Sequence, residues 1–323
     1  MHKKGFCLPK KEFGTLFTAL QSFGEVIAPV KKDKFLRMEK IENPKEITWE
    51  GISWFSSKKY VFPEKQTLFK FKGEKTEKWN ENPSPKVLFG LRLCDLNAFA
   101  INDKLFLNQK PKLPFYKKFR ENLLLVGLWC DTPQDEYCFC DSMKLQHKYD
   151  LCLFDRGDNF HIKIGSPKGE KILKKLKLKA EDYEKELAKC EKKLNTTDIK
   201  KYFENNEIWK KGEKDCLSCG TCTILCPTCL CFDIEDESNL KGTCGKRCVQ
   251  WDSCMYKDFT LVSGKHHFRG ERLDRFKHRI FHKLDYFKEQ FGESMCTGCG
   301  RCIRGCPTKI DWVSLINKGT SDK

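Results

Sequence analysis

Two stretches of the chain repeat one arrangement of cysteines. The first is Cys216-x-x-Cys219-x-x-Cys222-x-x-x-Cys226-Pro227, and the second is Cys296-x-x-Cys299-x-x-Cys302-x-x-x-Cys306-Pro307. Two-residue gaps let three sulfurs converge on one centre, and the proline turns the chain away after the fourth. Gly220, Gly298, Gly300 and Gly305 let backbone come close enough for N–H groups to donate to sulfur. This is the spacing of a [4Fe–4S] cubane, where the fourth cysteine of each run serves the other cluster of a pair. The expected ligand sets are Cys216, Cys219, Cys222 and Cys306 for one cluster, and Cys296, Cys299, Cys302 and Cys226 for the other. Zinc also takes Cys-x-x-Cys pairs, but its sites use two separated pairs rather than a duplicated run of four. The chemistry expected is single-electron transfer.

The chain holds twenty cysteines, so twelve lie outside the eight motif positions. Cys94 and Cys130 each follow an apolar run, and Cys138 and Cys140 lie just beyond the second. If those runs are neighbouring parallel strands, the four thiols meet at the carboxyl edge of a sheet, where α/β folds place their sites. They are the candidate ligands of a third [4Fe–4S] cluster, the alternative being buried inert thiols. Cys229, Cys231 and Cys254 form a weaker candidate metal group, with Cys244 and Cys248 between them and no clear fourth ligand. Cys7, Cys152 and Cys190 read as structural, Cys190 on a charged helix.

The surrounding pattern suggests how these groups are positioned. Residues 11–24 have helical spacing, with Phe13, Leu16, Phe17 and Leu20 on one face. Residues 25–41 read as extended. Residues 86–92 and 122–129 are continuous apolar runs separated by a helix over 96–107 with Asp95 as its cap, which suggests parallel strands covered on both faces. Residues 149–164 read as a hairpin, and 168–206 as charged surface helices. The expected fold class is an α/β domain over 1–210, followed by an α-helical dicluster ferredoxin-type domain over 211–323. The insert between Cys226 and Cys296 carries a helical pattern over 271–290. Its basic residues Arg272, Arg275, Lys277, His278, Arg279 and His282 read either as a solvated face or as contacts to an acidic partner or to the clusters.

Composition narrows the function classes. Charged residues make up 33% of the chain, and no apolar run is long enough to span a bilayer. The first residues, MHKKGFCLPKKEF, lack the apolar core of a signal peptide, so a cytoplasmic location is expected. Reduced thiols in that setting point to metal ligation rather than disulfides. The formal net charge is +16, and two clusters of about −2 each leave it basic. A basic surface steers acidic partners, although lysine-rich solvated faces give the same charge. No aromatic-interleaved basic module argues for nucleic acid, and no glycine-rich phosphate loop argues for a nucleotide or flavin bound by this chain alone.

Longer strings carry a resemblance. GLRLCDLNAFAINDKLF, LVGLWCDTPQDEYCFCDSM, CLSCGTCTILCPTCLCFD, WDSCMYKDFTLVSGKHHFR and RIFHKLDYFKEQFGESMCTGCGRCIRGCP resemble, in this order, one family of 4Fe–4S dicluster proteins. That family comprises the beta subunits of sulfhydrogenase-type [NiFe] hydrogenases and the dicluster subunit of anaerobic sulfite reductase. The resemblance implies an iron–sulfur subunit without substrate chemistry of its own, and so no catalytic residues. It would relay electrons between a flavin-containing electron-transfer subunit and a catalytic subunit, with ferredoxin as a further candidate partner. A free-standing ferredoxin-like carrier is the alternative, against which the large first domain argues. A substrate-reducing cluster of the heterodisulfide reductase kind would need adjacent cysteines, which the sequence lacks.

Overall fold

The computed structural model describes residues 5–321 apart from 81, 111, 147, 185, 197 and 205. The first part of the chain runs β1 (Gly5–Pro9), α1 (Phe13–Gln21), β2 (Glu25–Lys32), β3 (Phe35–Lys40), β4 (Lys65–Lys72), β5 (Lys75–Lys78), β6 (Lys86–Leu91), α2 (Leu93–Leu107), α3 (Pro114–Glu121) and β7 (Leu123–Leu128). It continues with β8 (Leu151–Arg156), β9 (Asn159–Ile164), α4 (Pro167–Leu173) and β10 (Lys179–Ala180). Eight of these strands form one mixed sheet in the order β10-β1-β9-β8-β7-β6-β2-β3. The pairs β2–β6, β6–β7 and β7–β8 are parallel.

The parallel strands are apolar on both faces because both faces are covered. Val87, Phe89, Leu124 and Val126 face a core shared with Phe13, Leu16 and Leu20 of α1 and Ile172 of α4. Leu88, Leu123 and Leu125 face the opposite core, with Leu96 and Phe99 of α2 and Phe115 and Tyr116 of α3. The carboxyl ends of β6 and β7 therefore open on the same edge, and Cys94 and Cys130 leave them there.

The second part contains α5 (Asn206–Asp215), α6 (Thr221–Ile224), β11 (Phe232–Ser238), β12 (Cys244–Trp251), the small hairpin of β13 (Leu261–Val262) and β14 (His266–His267), α7 (Arg272–Phe281), α8 (Phe287–Phe291), α9 (Arg301–Arg304) and α10 (Trp312–Ser321). One π-helical turn, His282–Tyr286, joins α7 to α8. The insert between the two cysteine runs is thus part strand and part helix. Its strands β11 and β12 complete a four-stranded sheet with β4 and β5 of the first part. Trp209, Phe276, Ile280, Phe281, Trp312 and Ile316 form the core of this half and draw in Phe139 and Met143 from the loop after β7.

Two local expectations differ from the structure. Among the described residues, the stretch read as helix over 168–206 is helical only in α4, in a short turn at Lys200–Tyr202 and where α5 begins at Asn206. Its middle lies across the loop after β7, and its polar groups bond there instead of to each other. Ala188 N–H donates to Cys130 O at 3.1 Å and Leu194 N–H to Ser142 Oγ at 3.2 Å, while Trp129 Nε1 donates to Glu186 O at 3.1 Å. Tertiary partners here override helix propensity. Asp95, read as a helix cap, lies inside the first turn of α2 and is buried.

Asp95 has another partner. Arg301, fully buried in α9, donates to both its carboxylate oxygens at 2.7 and 2.8 Å, and its Nε donates to Ser53 O at 2.9 Å. Arg304 adds a 2.6 Å bond to Asp135. This bidentate pair pins the second cysteine run against the edge of the sheet. Asp95→Ala leaves the guanidinium buried without a counter-charge. It is expected to cost about 3–5 kcal/mol in anaerobic denaturant unfolding; a loss below about 1 kcal/mol would contradict the latch.

Candidate iron–sulfur centres

Each cysteine run folds the same way for the same local reasons. Ser218 and Gly298, at matching positions, both have positive φ, 54° and 65°. This curls the chain so that the N–H of each points back to the first sulfur of its run: Ser218 to Cys216 Sγ and Gly298 to Cys296 Sγ, both at 3.4 Å. Gly220 and Gly300, again matching, take φ of 75° and 73° and start α6 and α9. The fourth cysteines match too, with Cys226 Sγ 3.4 Å from Thr228 Oγ1 and Cys306 Sγ 3.4 Å from Thr308 Oγ1. The internal repeat in the sequence is thus a repeat of backbone angles and of donors aimed at sulfur.

α6 and α9 pack against one another, and this contact crosses the runs. Cys306 comes beside Cys216 and Cys219, and these three line one pocket with Cys222, walled by Met255, Phe276, Ile280 and Trp312. Cys226 comes beside Cys296 and Cys299. Trp312 Nε1 donates to Cys302 Sγ at 3.3 Å. Burial pushes the Cys222 thiol up to about 12. Burial likewise raises Cys296, where the neighbouring Cys302 sulfur adds to the effect.

Three buried cations surround these sulfurs. Lys58 donates to Thr223 O at 3.0 Å and Cys229 O at 2.8 Å. Lys283 donates to Thr228 Oγ1 at 2.9 Å, and Arg279 Nη2 to Cys222 O at 3.0 Å. Arg279 Nε is buried with no hydrogen-bond partner among the described residues. Burial works against the charge on Lys283, but the Cys226 and Cys229 sulfurs outweigh it and hold its pKa above the ordinary value. The same contest at Arg279 is won by the Cys222 and Cys302 sulfurs. At Lys58 burial prevails and the pKa falls. Buried cations bonded to carbonyl and hydroxyl oxygens need a nearby anion, and a cubane held by four thiolates, at about −2, is one. The donor set therefore fits two such groups. Among the described residues, no three His, Cys, Asp or Glu side chains gather as ligands of a single metal ion; cubane sulfurs bind four different irons and stand further apart.

Cys229, Cys231 and Cys254 lie on the far side of Cys226. Cys229 pairs with Cys226, and Cys254 with Cys231. They line a cavity of about 310 Å³ with Arg279, Lys283, His278 and His282. Burial lowers both histidines, His278 to about 4 and His282 to about 3. Cys244 and Cys248 lie on β12, where Cys248 faces Thr67, away from this cavity. Cys94, Cys130, Cys138 and Cys140 converge as the sheet topology suggested, and Cys190 joins them. Reading Cys190 as a structural thiol on a helix missed this, because the segment around it is not helical.

Of the two readings of the basic helix, the structure favours contact with the cluster region over a solvated face. Arg275 and Arg279 are buried rather than solvated, and Arg275 donates to Met255 O at 3.0 Å and to Arg269 O at 3.2 Å. Residues 275, 279 and 283 recur every four positions beside apolar 276, 280 and 284. Helical periodicity therefore held the signal that three cations share the inward face.

Residues 215–310 match the family model of a 4Fe–4S dicluster domain. The chain is 32% identical over 331 residues to sulfhydrogenase 2 subunit beta of Pyrococcus furiosus, across 96% of this chain and 97% of that protein. No solved structure matches it. The domain match gives this chain two [4Fe–4S] clusters. Lys283→Met removes one of the cations beside Cys226. It is expected to lower the reduction potential of the nearer cluster by on the order of tens of millivolts in an EPR-monitored titration; unchanged potentials would contradict the role given to the buried charge.

Proposed function

The chain belongs to the 4Fe–4S dicluster family that includes sulfhydrogenase beta subunits, and from that premise we propose that it relays electrons between a flavin-containing subunit and a catalytic subunit of a hydrogenase-type complex. The observation that carries the reading is the crossing of the two cysteine runs. Cys216, Cys219, Cys222 and Cys306 would hold one cluster, and Cys296, Cys299, Cys302 and Cys226 would hold the other. When bound, the two clusters supply single-electron steps at potentials set by burial and by hydrogen bonds to sulfur.

The chain's own residues do the rest. Ser218, Gly298 and Trp312 donate to ligand sulfurs, which eases the negative charge on them. Lys58, Arg279 and Lys283 supply fixed positive charge in a dry interior, where it acts more strongly than in water. Cys219 is exposed and Leu217 beside it is 65% exposed, so one end of the relay meets a partner's surface there. No described helix is long and apolar enough to cross a membrane. A reducing compartment, the cytoplasm, suits a chain with this many free thiols.

Cys306→Ser tests the crossing. It is expected to alter the EPR signal and potential of the cluster held by Cys216, Cys219 and Cys222, whereas Cys226→Ser alters the other. If each substitution disturbed the cluster of its own run, the crossed assignment would be wrong. The relay itself is tested in the assembled complex with this chain omitted. Electron transfer from the flavin-side donor to the catalytic subunit is expected to fall at least about 100-fold, while a soluble dye still drives the catalytic subunit. Undiminished transfer without this chain would refute the relay.

A further inference from the structure

Five thiols that neither cysteine run accounts for meet at the carboxyl edge of the sheet. Cys94 opens α2 after β6, Cys130 follows β7, Cys138 and Cys140 lie in the loop beyond, and Cys190 comes from the irregular segment that crosses this loop. All five are buried, none more than 9% exposed. The sulfurs of Cys140 and Cys190 are 3.9 Å apart, and Cys138, Cys140 and Cys190 pack as one cluster with Leu145. Cys94 faces Cys138 and Cys140, and Cys138 faces Cys190. Cys130 stands at the side: its sulfur is engaged by the Leu93 backbone, with Cys190 near it.

A packing role does not account for this. A buried free cysteine behaves as a small hydrophobe, and four separate stretches of chain need not each bring sulfur to one point to fill a core. As a donor set the group is sufficient: Cys140 neighbours Cys94, Cys138 and Cys190, and Cys130 lies beside Cys138 and Cys190. It also abuts the second cysteine run. The Cys138 thiol lies 4.0 Å from Cys299 O, and Phe139 N–H donates to Gly298 O at 2.9 Å. A Cβ at residue 298 would sit 2.6 Å from Cys140 Cα, so only glycine allows the two loops this approach.

We propose that Cys94, Cys138, Cys140 and Cys190 hold a third [4Fe–4S] cluster beside the one at Cys299, with Cys130 packed behind it. The proposal rests on the relay reading and deepens it. The four thiols give up their protons on ligation, and four thiolates around a core of about +2 leave about −2. One electron from the neighbouring cluster reduces this centre as that cluster is oxidised, and no other reactant is needed. The relay then runs from exposed Cys219 through the crossed pair into the α/β half, which gives the large first part of the chain an electron-carrying role.

The test counts iron and acid-labile sulfide in the full chain, reconstituted anaerobically. About twelve irons and twelve sulfides per chain are expected, against about eight of each for two clusters. Cys140→Ala combined with Cys190→Ala is expected to lose about four irons and keep the signals of the crossed pair. Cys130→Ala is expected to keep all of them. About eight irons in the unaltered chain, or zinc in place of iron at this group, overturns the proposal. So does a loss of about four irons from Cys130→Ala with none from Cys190→Ala. Should the double variant fail to fold, the unaltered chain and Cys130→Ala still decide the matter. Fewer than about eight irons in the unaltered chain would overturn the two-cluster reading as well.

Discussion

A [4Fe–4S] centre held by four thiolates carries about −2, and this chain brings the thiols of two cysteine runs side by side. Burial and neighbouring sulfur push thiols such as Cys222 and Cys296 against ionisation. The protein meets that cost with Lys58, Arg279 and Lys283, which bond to carbonyl and hydroxyl oxygens beside the sulfurs. Taken alone, three such cations would be as costly as the sulfurs. Together with the iron centres they form a nearly compensated interior, in which each charge is held by the other's presence.

The rest of the fold serves that interior. The crossing of the cysteine runs requires α6 and α9 to meet, and residues 227–295 must return the chain to the point it left. Strands β11 and β12 make the excursion by pairing with β4. α7 makes the return, with Phe276 and Ile280 turned to the core and Arg279 to the sulfurs. The Arg301–Asp95 pair then ties α9 to the first turn of α2, immediately beside Cys94. The sheet and the cluster region thus share a deeply buried ion pair next to Cys94, which packs with Cys299.

Much of this was legible in the residues. The duplicated run named its metal centre because few other sites use four cysteines at that spacing. The parallel strands β6 and β7 were legible as unbroken apolar runs. Their topology in turn placed Cys94 and Cys130 on one edge. What stayed hidden depended on long-range partners. Cys190 lies in a segment of strong helix formers that the loop after β7 holds out of a helix through Cys130 O, Ser142 Oγ and Trp129 Nε1. Lys58 lies more than 150 residues before the sulfurs it serves, and nothing in its local sequence separates it from the many solvated lysines. Arg275 and Arg279 were hidden differently: the periodicity was present, but charge on a helix ordinarily means solvent.

The central claim is that the crossed thiols hold two clusters close enough to exchange electrons directly. Its most direct measurement is EPR of the chain at successive stages of reduction. Two clusters bridged by crossed runs give a simple signal when one is reduced, and a broadened, spin-coupled signal when both are. A fully reduced spectrum equal to the sum of two isolated clusters, or one lacking a second cluster, would contradict the account.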